Sequence, residues 1–155
     1  MADTTFSDVL ELSTEVDAPV ERVWSIVSDL ARMGEWSPQC RKMFVFGDVR
    51  VGTRTLNLNR KGMAVWPTSA KVVDFVPEKR IAFRIFENKT VWSYELEPTE
   101  SGTRVTERRA APNGTSKLSQ TFVRMFLGGN AGLEADLERG MQMTLARIRT
   151  EAERP

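Results

Sequence analysis

The sequence predicts an α+β fold in which an antiparallel β-sheet packs against one long C-terminal helix, and two observations carry that prediction. Over 115–153 the apolar residues Leu118, Phe122, Met125, Phe126, Leu133, Leu137, Met141, Leu145 and Ile148 mostly recur three or four positions apart. That spacing lays them along one stripe of a 3.6-residue helix, while Glu134, Asp136, Glu138, Arg139, Arg147 and Arg149 fall mainly on the other side. Between 41 and 110, by contrast, strand-like runs are separated by Gly, Asp, Asn and Pro clusters every 8 to 12 residues or so. A helix with one face to bury and a sheet with one face to cover are natural partners.

In chain order, residues 8–17 place Leu10, Leu12, Thr14 and Val16 on one side and Val9, Glu11, Ser13 and Glu15 on the other, the period of a half-buried strand. Pro19 suits the first turn of a helix, where its missing N–H is no loss, and Glu21 sits near the positive end of the helix dipole. Val20, Val23, Trp24 and Val27 supply that helix with its buried stripe. A second short helix is predicted over 30–36, closed by Ser37 and Pro38, because proline disfavours helical geometry in the residue before it. Strands are then predicted over 41–46, 54–60, 64–76, 80–87, 90–97 and 103–110. The punctuation at Gly47-Asp48, Lys61-Gly62, Pro77-Glu78, Asn88-Lys89 and 98–102 is short, and short connections make consecutive strands antiparallel neighbours. In the C-terminal stretch Gly128, Gly129 and Asn130 interrupt the periodicity, each glycine costing roughly 1 kcal/mol against alanine, so a break is expected there. It is either a simple break between packed segments or a hinge that lets 118–127 move as a lid.

Composition excludes more than it selects. The 155 residues suit one domain, 1–155, with a single core, and neither an internal repeat nor a linker divides them. Lys plus Arg number 22 against 21 Asp plus Glu, so no large field draws nucleic acid. No basic leader followed by an apolar run and no membrane-length apolar stretch is present, which leads us to expect a cytoplasmic protein. There is no histidine and a single cysteine, Cys40, which removes Ser-His-Asp and Cys-His catalysis, multi-cysteine zinc sites and histidine-ligated haem. Cys40 itself reads as a small buried residue, since no histidine stands by to activate it.

Several strings carry a family likeness: Val16-Asp17-Ala18-Pro19-Val20-Glu21-Arg22-Val23-Trp24, Glu35-Trp36-Ser37-Pro38-Gln39-Cys40, Val51-Gly52-Thr53-Arg54, Trp92-Ser93-Tyr94-Glu95-Leu96, Gly102-Thr103-Arg104-Val105-Thr106-Glu107, and Gly140-Met141 with Thr144-Leu145. With the element order, they make the chain resemble the START-like (SRPBCC, Bet v 1-like) superfamily of helix-grip proteins, specifically its polyketide cyclase/dehydrase-like branch. The resemblance implies a curved antiparallel sheet wrapped around the C-terminal helix, two short helices after the first strand, and a cavity that holds a small apolar molecule. Members include polyketide cyclases and aromatases, and lipid and hormone binders; fold alone does not choose among these. No cofactor is expected, no membrane span is implied, and the protein is expected as a monomer or a homodimer.

Strand parity then nominates residues. Trp92, Tyr94 and Leu96 share one face of their strand, and Thr103, Val105, Glu107 and Arg109 share one face of the last. If Val105 marks the inner face, a carboxylate and a guanidinium stand two positions apart in an apolar cavity, where desolvation favours the neutral acid and a nearby arginine the anion. One reading makes Glu107 and Arg109 a structural ion pair; the other makes Glu107, Tyr94 and Arg109 the acid, base and carbonyl-stabilising groups of a cyclase, aromatase or dehydratase. Asn57 and Asn59 alternate with Leu56 and Leu58, and either pair is the inward one. Trp36, Phe44, Trp66, Phe83, Trp92, Phe122, Met125 and Met141 are candidate cavity walls, with plain core as the alternative for each. Beside a cyclase-like enzyme stand two alternatives: a carrier or sensor for a lipid, sterol or quinone, and an interaction module whose cavity is merely core.

Overall fold

The computed structural model describes residues 9–111 and 130–155. Its elements are β1 (Val9–Val16), α1 (Val20–Val27), a 3-10 turn (Leu30–Arg32) running into α2 (Met33–Trp36), then β2 (Cys40–Phe46), β3 (Arg54–Lys61), β4 (Ala64–Val76), β5 (Arg80–Ile85), β6 (Val91–Pro98), β7 (Thr103–Ala110) and α3 (Asn130–Ala152). The predicted α+β helix-grip architecture is what the chain adopts. The proposed lid over 118–127, the glycine hinge, Phe122 and Met125 lie outside the described residues.

All seven strands form one antiparallel sheet in the order β1-β7-β6-β5-β4-β3-β2, so β2 through β7 follow one another as hairpins and β1 closes onto β7. The first strand departs into α1 and α2, which carry the chain across to the far edge where β2 begins. Gly34 permits that crossing: a Cβ there would collide with the Arg41 carbonyl, so only glycine lets α2 lie against the start of β2.

One sheet face turns inward against the helices. Helix α3 buries Leu137, Met141, Leu145 and Ile148 of the predicted stripe, together with Ala152, and each large side chain removed from water contributes about 1.5–3 kcal/mol. Helix α1 buries Val23, Ile26 and Val27, while Trp24 leans on Phe75 with ring centroids 5.5 Å apart. The pairing Val16↔Thr103 and Leu12↔Glu107 fixes β7 so that Thr103, Val105, Glu107 and Arg109 all face inward. A one-residue slip would send every one of them to solvent.

Two bulges break the strict alternation. In β4 the register shifts between Val72 and Asp74, and in β2 between Cys40 and Lys42. The second shift decides which β2 residues reach the interior. Cys40 faces in, and without the extra residue Lys42, Phe44 and Phe46 would follow it; with it, Met43 is buried at 3% exposure and Phe44 is 45% exposed.

Candidate functional site

Between the inner sheet face and α3 lies a cavity of about 940 Å³. Most of its wall is apolar: Met33 and Met43 below, Phe83 and Ile85 from β5, Trp92 from β6, Trp66 from β4, and Leu137 and Met141 from α3. Polar side chains reach it on β6 and β7, on β3 and β4, at Thr144 of α3, and around its mouth.

On β6 and β7, Tyr94 and Glu107 are directly opposed in register, and the Tyr94 hydroxyl donates to Glu107 Oε2 at 2.8 Å. The same hydroxyl lies 3.9 Å from Met33 Sδ. Both residues are buried, at 2% and 3% exposure. Burial pushes the Glu107 carboxyl up to about 8, with the Tyr94 hydrogen bond pulling only part of the way back. Burial, and then the charge of Glu107, also push the Tyr94 hydroxyl well above its ordinary value, so it remains a phenol. At neutral pH the pair is therefore a carboxylic acid beside a phenol. Tyr94 thus engages Oε2, while Oε1 is a buried oxygen with no hydrogen-bond partner among the described residues. Arg109, two positions along the same inward face and opposite Trp92, also lines the cavity and is 4% exposed. Burial is the leading cause of the upward shift of the Glu107 carboxyl.

On β3 the parity question resolves with the asparagines inward. Thr55, Asn57 and Asn59 are buried, while Leu56 and Leu58 stand 43% and 41% exposed. Their amides join a ladder. Thr55 Oγ1 donates to Asn57 Oδ1 at 2.8 Å, Asn57 Nδ2 donates to Thr68 Oγ1 at 3.2 Å, and Asn59 Nδ2 donates to Thr68 Oγ1 at 2.9 Å and to the Trp66 carbonyl at 3.3 Å. Thr68 accepts twice, which leaves its own hydroxyl proton to point elsewhere. Both asparagines and Thr68 line the cavity. This rigid, satisfied row costs little to bury and presents polar atoms opposite the acid.

At the mouth, Lys61 at the end of β3 and Gly62 of the β3–β4 turn stand with Asp136 and Arg139 of α3. Lys61 and Arg139 both pair with Asp136, and the Lys61 contact leads in holding that carboxyl below its usual range. The tie joins sheet to helix across the opening. Cys40 Sγ sits on the wall 3.7 Å from the Lys42 carbonyl, and burial pushes its thiol up to about 11. It is a thiol at any ordinary pH, not a nucleophile.

Of the residues nominated from sequence, Glu107, Tyr94, Arg109, Asn57, Asn59, Trp66, Phe83, Trp92 and Met141 line one cavity. Two do not. Phe44 is turned to the outer face by the β2 bulge, where Lys42 lies 5.0 Å over its ring. Trp36 is buried at 5% in the core beneath α2, capped by the Arg32 guanidinium at 4.8 Å, and is not on the cavity wall. Sequence reasoning missed Met43 and Thr68. The Met43 side chain is brought in by a bulge that no local composition marks, and the alternation around Thr68 is blurred by Pro67.

The chain matches, over residues 8–153, the family described as polyketide cyclase/dehydrase and lipid transport. No curated protein sequence matches it. Among solved structures it is similar to a polyketide cyclase-like protein of Corynebacterium glutamicum, at 27% identity and a TM-score of 0.63, covering 91% of this chain and 88% of that one. It is also similar to the Zhui aromatase/cyclase of Streptomyces sp. R1128, at 17% identity and a TM-score of 0.72, covering 94% and 93%. A third is the di-domain aromatase/cyclase StfQ of the steffimycin biosynthetic pathway, at 14% identity and a TM-score of 0.74; 96% of this chain covers 51% of StfQ, about half its length. Match, topology and cavity agree: the chain belongs to the polyketide cyclase/dehydrase and lipid transport family.

Proposed function

We propose that the protein binds a small, largely apolar molecule carrying oxygen functions, and that Glu107 in its acid form addresses a carbonyl or hydroxyl oxygen of that ligand. One observation carries the reading: Glu107 lines the cavity, and its buried Oε1 has no hydrogen-bond partner among the described residues. A buried polar atom left unpaired costs about 1–3 kcal/mol, a cost that a ligand oxygen would remove. The apolar walls supply affinity and the polar rows on β3–β4 and β6–β7 fix orientation.

The chemistry this arrangement supports is that of a cofactor-independent cyclase, aromatase or dehydratase. A hydrogen bond from Oε1 to a ligand carbonyl withdraws charge from it and acidifies the neighbouring C–H, and the Arg109 guanidinium stabilises negative charge as it develops on oxygen. The cavity holds a flexible chain folded so that its own nucleophilic carbon meets that carbonyl. Tyr94 keeps Oε2 engaged, so a single oxygen serves the ligand. A carrier for a lipid or quinone would use the same contact without turnover.

The test is calorimetric titration with a flat aromatic ketone such as anthrone, at about pH 6 and about pH 9. Affinity should fall about tenfold across that interval as Glu107 loses its proton, the equivalent of about 1.4 kcal/mol. Glu107→Gln, which retains a donor, should bind with no such pH dependence. Equal pH dependence in both proteins would remove Glu107 from the reading, and activity of Glu107→Gln equal to wild type on a β-polyketone would leave only the carrier.

A further inference from the structure

The outer face of the sheet is divided into two halves of opposite character. Over β1, β6 and β7 its charges are mutually paired: Arg104 binds Glu15 and Glu97, Arg108 faces Glu11, and nearby Arg80 binds Glu95 and Asp74. Over β2, β3, β4 as far as Lys71 and the Arg84 end of β5, the outward cations have no carboxylate partner among the described residues. Successive rows across the strands read Phe46–Arg54–Lys71–Arg84, then Phe44–Leu56–Ser69, then Lys42–Leu58–Pro67, then Arg60–Val65. No carboxylate occupies an outward position on β2, on β3, or on β4 as far as Lys71. Glu87, at the margin, is held by the Ser69 amide and hydroxyl. None of Lys42, Arg54, Arg60, Lys71 and Arg84 pairs with a carboxylate among the described residues.

Apolar side chains fill the gaps between these cations. Phe44, Phe46, Leu56, Leu58, Val65 and Phe86 are each between 41% and 62% exposed, and the patch runs to the open edge at β2. A strand with leucines outward and asparagines inward inverts the usual pattern, so the outer leucines of β3 are not explained by the core.

We propose that this half of the outer face docks an acidic protein surface that also presents apolar side chains. The unpaired cations select negative charge, and the interleaved Phe and Leu rows give that partner something to bury beyond its charge. A second copy of this chain stacked on the same face would set cation against cation. The order of layers argues against a bilayer: Lys42 lies 5.0 Å over the Phe44 ring and Arg54 lies 5.7 Å over that of Phe86, so charge caps these two rings where membrane insertion needs bare apolar tips. Nucleic acid would use the cations and leave the apolar rows idle.

The test places the photo-crosslinker p-benzoylphenylalanine at Leu56, with Thr106 on the ion-paired half as control site, in the full chain within the producing cell. The expected product joins Leu56 to a protein through a segment rich in Asp and Glu with apolar residues between them. Arg54→Glu combined with Lys71→Glu should reduce the adduct about tenfold, and a synthetic peptide of the captured segment should bind the purified charge-reversed protein about tenfold more weakly than wild type. If that pair fails to fold, Lys42→Glu with Arg84→Glu serves in its place. The proposal is overturned by no adduct above the Thr106 control, by an adduct that survives charge reversal, or by one made with phospholipid, nucleic acid or a second copy of the chain.

Discussion

Glu107 is a carboxyl whose surroundings oppose its charge, and this has a consequence for stability. Its folded value is raised to about 8, so above the ordinary value of 4.5 the unfolded chain releases a proton that the folded chain still holds. Stability from this group is fully present below 4.5, declines as pH rises, by at most about 1.4 kcal/mol per pH unit, and levels off once pH passes about 8. Thermal unfolding followed from about pH 5 to about pH 9 should show that decline in the wild type and not in Glu107→Gln, which should be the more stable protein at the alkaline end. Parallel curves would contradict it. Tyr94→Phe removes the hydrogen bond that opposes the upward shift, so the Glu107 carboxyl should titrate at still higher pH, read from its carboxyl carbon chemical shift. An unchanged titration would show that the phenol does not touch the acid in solution.

Among the elements, helix α3 and strand β7 were the most legible from sequence, because their buried residues recur at the periods of 3.6 and 2 that geometry demands. Leu145, at 3% exposure, lies in the middle of that helix stripe, and Leu145→Ala should cost about 2–5 kcal/mol in denaturant unfolding. Strand β2 was legible as a strand but not in its facing, since one inserted residue between Cys40 and Lys42 exchanges Phe44 for Met43. Strand β3 could not be oriented from its own residues: an alternation of Leu and Asn looks the same from either side until Thr68 supplies the asparagines with a partner on β4. Trp36, read from sequence as either wall or plain core, is core: the short α2 turns it inward under Arg32. The tie from Lys61 to Asp136 depends on a turn and a helix distant in sequence, and no local pattern announces it. Lys61→Ala should change global stability by less than about 1 kcal/mol, as half-exposed pairs do, while accelerating hydrogen exchange in the β3–β4 turn and the exit of bound ligand. Slower exit would contradict its place at the mouth.

At the scale of the whole molecule, a sheet, a crossing helix and a cavity of about 940 Å³ form a container whose lining is mostly apolar, with polar groups on two separated pairs of strands, on the helix and around the mouth. The family match over 8–153 agrees with such a container, and the proposed binding role rests on the buried Glu107 that lines it. Within the described residues no helix is long and apolar enough to cross a membrane. The most direct measurement is native mass spectrometry of the freshly purified chain, followed by extraction and identification of what dissociates. A retained small molecule, apolar through its middle and oxygenated, and lost from a variant in which Met141→Trp fills the cavity, is the predicted result. A clean apo mass, together with no thermal stabilisation by aromatic ketones, lipids or sterols, would contradict the account.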